Sequence, residues 1–129
     1  MSRLVTLFVI LLLGACDTVG SRYPSLEEAR KDRLFGRGWL PNILPQSARQ
    51  IQTVNDLDLN TSAGEFYFEP NDFEKLHKQL SEATENNGQS GMAGYTSYQY
   101  TNANRVWIFT CSSIRGHCKY TMATVRSGG

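Results

Sequence analysis

The chain opens with an unbroken apolar run and then alternates between short polar and short apolar segments. Residues 4–13 are almost wholly apolar, and Arg3 precedes them. At about 1.5 Å per residue this run gives a helix of roughly 15 Å, about half the thickness of a bilayer core. It is therefore too short to span a membrane. A basic start, a short apolar run and the small residues that follow are typical of a secretory signal.

Two later segments have helical spacing. Ser25 is followed three residues later by Glu28, which is the pattern of a capping box and predicts a helix from residue 26 to about residue 35. A second helix is predicted after Pro70, because apolar side chains recur on one face. The apolar positions of that helix are Phe73, Leu76, Leu80 and Ala83.

Alternation of apolar and polar residues predicts about five strands. The predicted strands cover residues 49–56, 65–69, 95–101, 105–111 and 118–125. If Cys111 faces Cys118 in an antiparallel pair, Phe109 faces Tyr120 and Trp107 faces Met122, all on one side of the hairpin. The order of elements predicts an α+β fold, a small two-layer domain with an antiparallel sheet of about five strands and two helices packed on one face.

Composition limits the classes of partner. The 129 residues carry 13 basic and 12 acidic side chains, and loss of Arg3 with a cleaved signal leaves a formal charge near zero. Proteins that bind nucleic acid normally have a clear basic excess, and polybasic adhesion to anionic lipid needs one too. We therefore expect no nucleic-acid partner and no electrostatic membrane binding.

The end of the apolar run has a recognisable motif. Leu13-Gly14-Ala15-Cys16 resembles the lipobox of bacterial lipoprotein precursors. The resemblance implies that the thiol of Cys16 receives a diacylglyceryl group, that the chain is cut before Cys16, and that the new amino group is acylated. It divides the chain into a signal peptide (residues 1–15), a lipidated tether (16–24) and one α+β domain (25–126).

The same resemblance gives a location. The protein would lie on the periplasmic face of the bacterial cell envelope, held to the membrane by the lipid on Cys16. Asp17 resembles the signal that retains lipoproteins in the inner membrane, which slightly favours that membrane over the outer one. In an oxidising compartment, Cys111 and Cys118 are expected to form a disulfide.

A second resemblance covers roughly residues 22–68. The segment from Arg37 to Ala48, with Asp56, Asp58, Asn60 and the later Phe66 and Phe68, is similar to a pattern in small uncharacterised envelope lipoproteins of proteobacteria. This pattern implies a class of protein and no activity.

Two groups of side chains are candidates for binding. Arg37 and Trp39 lie in a segment rich in proline and glycine, and Tyr98 and Tyr100 share one side of a predicted strand. Either group can form a recognition surface, and either can instead fill the core of so small a domain.

Metal and catalytic motifs are incomplete. Asp56, Asp58 and Asn60 have the spacing of a calcium loop, but Thr61 and Tyr67 stand where such a loop needs Gly and Glu. Turn hydrogen bonds explain this run instead. His77, on the predicted second helix, and His117 do not make the three or four ligands of a zinc site, and His77 is interpreted as a half-buried structural residue. We expect no metal, no cofactor and no catalytic residue.

These observations predict a lipid-anchored, non-catalytic protein that binds another envelope protein as an accessory or assembly factor. A periplasmic lipoprotein that binds a small molecule or glycan is the alternative, supported by the tyrosines. A small cell-wall hydrolase is the third possibility.

Overall fold

The computed structural model describes residues 18–82 and 92–125. The predicted signal peptide, Cys16, Ala83 and the C-terminal residues 126–129 lie outside the described residues. The strands are β1 (Thr18–Ser25), β2 (Arg49–Asp56), β3 (Thr61–Tyr67), β4 (Ser81–Glu82), β5 (Thr96–Asn102), β6 (Arg105–Ser112) and β7 (His117–Thr124), and the helices are α1 (Leu26–Lys31) and α2 (Phe73–His77).

The seven strands form one antiparallel sheet in the order β1-β2-β3-β7-β6-β5-β4. The predicted fold of about five strands with two packed helices is therefore wrong, because the described residues form mostly sheet and two small helices. Strand β2 has the predicted bounds, and β5, β6 and β7 lie within a residue or two of theirs. The two extra strands are β1 and β4.

Strand β1 is formed by residues that the sequence pattern assigned to a tether. It pairs with β2 from Thr18 opposite Asp56 to Ser25 opposite Arg49. Of its eight residues only Tyr23 is buried. An edge strand is held mainly by backbone hydrogen bonds to one neighbour, so its sequence lacks the apolar alternation that marks a half-buried strand.

Both helices are shorter than predicted. The predicted cap of α1 is confirmed, since the Ser25 side chain accepts a hydrogen bond from the Glu28 amide at 3.3 Å. The helix then ends at Lys31 because Arg33 takes a left-handed conformation with φ of 59°. Helix α2 has only five residues, between a 3-10 turn at Pro70–Asp72 and the short strand β4.

The hydrophobic core lies on one face of the sheet. The predicted register of the β6–β7 hairpin is confirmed, with Phe109 opposite Tyr120 and Trp107 opposite Met122. Cys111 and Cys118 lie opposite each other and are joined by a disulfide. The sheet, both helices and the irregular segment of residues 32–48 all contribute to this core. Its largest buried side chains include Leu34, Leu40, Ile51, Phe66, Phe68, Leu76, Phe109 and Met122.

The opposite side of the sheet, which we call the outer face, is built from the alternate residues of the same strands. The buried residues of both described helices belong to the core cluster, so the helices pack on the other side. Over β2, β3, β7 and β6 the outer face is mostly exposed or half-exposed, and His117 is buried. It carries Gln52, Val54, Ala63, Glu65, Tyr67, Val106, Ile108, Thr110, His117, Lys119, Thr121 and Ala123.

Candidate binding surface

Arg37, the first predicted binding residue, is exposed but anchored to the turn after α1. Its Nη2 atom lies 3.3 Å from an Asp32 carboxylate oxygen and donates a hydrogen bond of 2.6 Å to the Asp32 carbonyl. The hydroxyl of Tyr23 donates to the same carboxylate at 2.5 Å. These contacts fasten the turn to β1, so the described geometry gives Arg37 a local structural role.

Trp39, the second predicted binding residue, is half-buried and packs against the core. Its carbonyl accepts a hydrogen bond of 3.0 Å from the indole N–H of Trp107. Because a buried indole N–H needs an acceptor, this contact ties the irregular segment to β6.

Tyr98 and Tyr100 share one side of β5, as predicted, and that side faces the core. The Tyr98 ring lies 6.0 Å from the ring of Phe73 and 5.2 Å from that of His77. The Tyr100 ring lies 5.8 Å from that of Trp107. Both tyrosines are only partly buried, but their rings pack on core or helix side chains instead of forming an aromatic platform.

His77 and Asp56 also have observed positions. His77 was expected to be half-buried, but it is exposed and its ring stacks on Phe73 at 5.5 Å. Asp56 accepts hydrogen bonds from the amides of Asp58 and Leu59, both at 3.0 Å, which is the turn arrangement expected in place of a calcium loop. In the described part of the chain, no group of three or more His, Cys, Asp or Glu side chains could hold a metal ion.

The outer face has a depression that the sequence pattern did not indicate. Two open surface hollows of about 290 and 270 Å³ share Ala63, Gly64 and Lys119 in their lining. We call the joined hollow the Ala63–Gly64 trough. Val54 borders it on one side and Ile108 on the other.

The floor of the trough is low because the outer-face residue Ala63 is small; beside it the strands pack closely at Gly64, whose missing side chain would point to the core face, where Tyr120 lies. A Cβ atom at this position would lie 1.9 Å from the Gln52 carbonyl oxygen and 2.9 Å from a ring carbon of Tyr120. Any larger residue would push β2 and Tyr120 away. The neighbouring Ala63 is small as well, so the floor lies below the side chains that border it.

A hydrogen-bond network closes one end of the outer face. The Nε2 atom of buried His117 lies 2.7 Å from Glu65 Oε1, and Nδ1 lies 2.8 Å from the hydroxyl of Tyr95. Because the Glu65 carboxylate can only accept, Nε2–H donates, and in the neutral ring Nδ1 then accepts from Tyr95. The guanidinium of Arg115 lies 5.7 Å from the centre of the Tyr95 ring.

This network orients one wall of the trough. Both ring nitrogens of His117 are engaged, so the ring is held in one orientation and Glu65 is held in place beside it. Glu65 also lines the trough, where its half-exposed carboxylate is an acceptor for a bound partner. In the sequence analysis, His117 was considered as a zinc ligand and was not connected with Glu65 or Tyr95. The sequence did not show that β3 pairs with β7, which places Tyr67 opposite His117.

A second, more polar cleft of about 280 Å³ lies where the β5–β6 turn meets the irregular segment. Arg105 lines it and donates a hydrogen bond of 3.1 Å to the Gly38 carbonyl. Amide side chains supply most of its other polar groups, and the aromatic rings of Phe35 and Trp107 complete the lining. The amides are those of Asn42, Asn102 and Asn104.

The N-terminal part of this architecture has a counterpart among known families. Residues 17–67 match the family model of the YbbD head domain. This match points to a bacterial envelope-type protein family. No curated protein and no solved structure matches the chain.

The matched residues, which we call the head-domain segment after the model they match, comprise β1, α1, the irregular segment, β2 and β3. It contributes Val54, Ala63, Gly64 and Glu65 to the trough, whereas Ile108 and Lys119 come from strands beyond it. The trough therefore lies along the junction between the head-domain segment and the disulfide-linked hairpin.

None of the described helices is both long and apolar enough to cross a membrane.

Proposed function

We propose that this chain is a lipid-anchored protein of the bacterial envelope whose domain binds another envelope protein through the Ala63–Gly64 trough. In this role it is an accessory or assembly factor and performs no reaction of its own. The trough carries the proposal, since it is a shallow, partly apolar surface on a sheet face that both described helices leave uncovered.

Three observations support the lipid anchor. Leu13-Gly14-Ala15-Cys16 resembles a lipobox with Cys16 after the cleavage site, and the match to the YbbD head-domain model begins at residue 17, immediately after it. The disulfide between Cys111 and Cys118 suits an oxidising compartment, which is where a cleaved lipoprotein is delivered. Asp17 supports the inner membrane over the outer one.

The anchor is tested by mass spectrometry of the protein purified from bacterial membranes. We expect the N-terminal peptide to begin at Cys16 and to carry the mass of a diacylglyceryl group and a further acyl chain. When the Cys16→Ala variant is partitioned between detergent and water, it should move to the aqueous phase. An unmodified peptide that includes residues before Cys16 would contradict the anchor.

The trough supports protein binding because its borders mix apolar and polar groups. Val54, on the outer face of β2, is 52% exposed. Glu65 and Lys119 add one carboxylate and one ammonium group within reach of the same hollow. Exposed apolar groups rimmed by polar side chains are typical of surfaces where proteins meet.

Site-directed photocrosslinking in cells tests the surface. A photoreactive residue at Thr121, which lines the trough, should yield one crosslinked envelope protein, and the same residue at exposed Glu27 on α1 should not. Ala63→Arg fills the trough and should abolish the crosslink, whereas Ala93→Arg, at another exposed alanine, should leave it. Equal crosslinks from Thr121 and Glu27 would contradict the proposal.

The polar cleft at Arg105 favours one alternative, a lipoprotein that binds a small molecule or glycan. Its three amide side chains and flanking aromatic rings are suited to sugar hydroxyls, and its volume is just below the usual range for ligand pockets. Because Trp107 lines the cleft, a muropeptide or sugar that binds there should change the tryptophan fluorescence. Asn102→Ala should weaken that change. No change with any sugar tested would remove this alternative.

A further inference from the structure

Exposed large apolar side chains concentrate at one end of the sheet. In the described residues, seven large hydrophobic side chains are exposed, and four of them lie at the end where β1 begins. The four are Val19 (45% exposed), Leu57 (58%), Leu59 (69%) and Val125 (48%). We call this end, with these four side chains, the apolar edge.

The strand register brings the four side chains to the same end. Thr18 pairs with Asp56 at the end of β2, and Asp56 pairs with Thr61 at the start of β3. The turn between β2 and β3 contacts the end of β7, because the Asn60 side-chain amide donates to Thr124 Oγ1 at 3.1 Å. Val125 follows directly and its amide donates to the Asn104 carbonyl at 2.6 Å.

The two leucines are held outward by a rigid turn. Asp56 Oδ1 accepts hydrogen bonds from the amides of Asp58 and Leu59. Asn60 has a left-handed φ of 56°, and its carbonyl accepts a hydrogen bond of 3.1 Å from Thr124 Oγ1. A turn fixed by these bonds cannot fold Leu57 and Leu59 back onto the core, so their exposure is a stable property of the fold.

The apolar edge is also the part of the described chain nearest to Cys16. Only Asp17 separates Cys16 from Thr18, the first residue of β1. Two residues of fully extended chain span at most about 7 Å. A lipid on Cys16 would therefore enter the bilayer within that distance of the apolar edge, and the sheet could not stand clear of the membrane surface.

We propose that the apolar edge rests on the bilayer and places its four apolar side chains in the lipid headgroup region, so that the strands stand upright on the membrane. This inference rests on the proposed lipid anchor. Side chains of interfacial segments are buried about 5–10 Å into the headgroup and acyl boundary. The trough then faces sideways along the membrane surface, toward neighbouring membrane proteins.

Charge at the apolar edge indicates which lipids it prefers. Asp58 is exposed on the same turn as the two leucines, and Asp17 lies next to Cys16 in the sequence. Carboxylates are repelled by anionic headgroups. We therefore expect closer contact with zwitterionic phosphatidylethanolamine than with a bilayer rich in phosphatidylglycerol.

The experiment compares a fluorophore at the apolar edge with the same fluorophore at the opposite end. The full chain, purified from bacterial membranes, is reconstituted in protein-free phosphatidylethanolamine vesicles that contain a minor fraction of phosphatidylglycerol. Asn104→Cys in the β5–β6 turn, or Ile114→Cys in the β6–β7 turn, is labelled with the environment-sensitive dye NBD. With Cys16 acylated and the other cysteines joined, the introduced thiol is the reactive one.

At position 104 we expect the NBD emission to be blue-shifted and to be quenched by nitroxide-bearing lipid. At position 114 we expect the emission of NBD in water. In the double variant Leu57→Ser/Leu59→Ser the shift and the quenching at position 104 should be lost, while circular dichroism stays unchanged. Raising the phosphatidylglycerol fraction should reduce the shift.

The alternative outcomes are distinguishable. If the chain is in the vesicles but both labels show the emission of the dye in water, the apolar edge does not enter the lipid, and the inference fails while the anchor stands. A shift at position 104 that survives in the double variant also overturns it. A chain that stays in the aqueous phase overturns both the anchor and the inference.

Discussion

The two halves of the sheet are stabilised by different kinds of contact. In the C-terminal half, β6 and β7 place the pairs Trp107–Met122 and Phe109–Tyr120 on their core side, and a disulfide follows at one end. In the head-domain half, which comprises β1, β2 and β3, buried Ile51 of β2 and Phe66 of β3 lie far from the apolar edge, and the buried residues closer to that edge are polar. The C-terminal half depends mainly on buried area, whereas the other half also depends on matched hydrogen bonds.

The polar part of the head-domain half is a continuous chain of hydrogen bonds. Ser62 Oγ donates to Asn55 Oδ1 at 2.7 Å, so the hydroxyl of Tyr120 donates to Ser62 at 2.8 Å. Among the described residues, one buried side-chain polar atom, Thr53 Oγ1, has no partner. A buried polar network stabilises only while every member is satisfied, which makes this half sensitive to changes that barely alter side-chain volume.

The largest effect is expected where the two halves meet. Phe66 of β3 and Phe109 of β6 are both fully buried, and their rings pack edge to face at 6.3 Å. Phe66→Ala should lower the free energy of unfolding by about 3–5 kcal/mol. Tyr67→Ala, at the next residue on the half-exposed outer side, should cost less.

Urea unfolding followed by tryptophan fluorescence and by far-UV circular dichroism measures both variants. Because Trp39 and Trp107 both contact the shared core, the two signals should change together in the wild-type protein. Two separate transitions would show that the halves unfold independently, and would contradict the single core described above.

The same comparison explains what the sequence could predict. In the C-terminal half, regular alternation and the cysteine pair specify one register, and the predicted pairs are the observed ones. In the head-domain half, β2 was predicted but β1 was not, because an edge strand needs few apolar side chains. Both helices were predicted too long, since helical periodicity does not show where a left-handed residue or a new strand ends the helix.

The candidate site was less accessible to sequence reasoning than the fold. The predicted binding residues Trp39, Tyr98 and Tyr100 pack on the core, because large side chains in a small domain are mostly needed there. The trough combines residues from β2, β3, β6 and β7. Its existence depends on which face the helices leave uncovered, and no local pattern contains that information.

The disulfide should stabilise the C-terminal half more than the head-domain half. It closes a short loop, with a sequence separation of 7, and a loop of this length corresponds to about 2–3 kcal/mol of stabilisation in the chain-entropy estimate. The double variant Cys111→Ala/Cys118→Ala should lower the urea midpoint accordingly. Wild-type protein treated with reductant is the control and should lose a similar amount. An unchanged midpoint in both would mean that the apolar pairs alone hold the hairpin.

Two glycines test the contact that ties the irregular segment to β6. Gly38 and Gly94 have nearly the same left-handed φ, 84° and 82°. A Cβ atom at Gly38 would lie 1.7 Å from Arg105 Nη1, whereas one at Gly94 would meet nothing within 4 Å. Both alanine variants carry the backbone penalty, but only Gly38→Ala displaces Arg105 from the Gly38 carbonyl.

We expect Gly38→Ala to be less stable than Gly94→Ala by about 1–2 kcal/mol, the value of a hydrogen bond to a charged group in a partly exposed site. Thermal or urea unfolding measures the difference. If Arg105 contributes as described, Arg105→Ala should reduce the difference between the two glycine variants. Equal stabilities would indicate that Arg105 moves aside without cost.

The smallest effect is a dependence on alkaline pH that involves both halves. Burial raises the pKa of Tyr120 far above that of a free tyrosine, and burial together with the Asp32 hydrogen bond raises the pKa of Tyr23. A tyrosine that holds its proton more tightly when folded stabilises the protein below its unfolded pKa of about 10, and this stabilisation is lost as the pH rises above that value.

Urea midpoints measured between about pH 8 and pH 11 should therefore fall above pH 10. Tyr120→Phe should make the fall shallower, and Tyr23→Phe should do so to a smaller extent. A slope that neither variant changes would place the alkaline sensitivity in groups other than these two phenols.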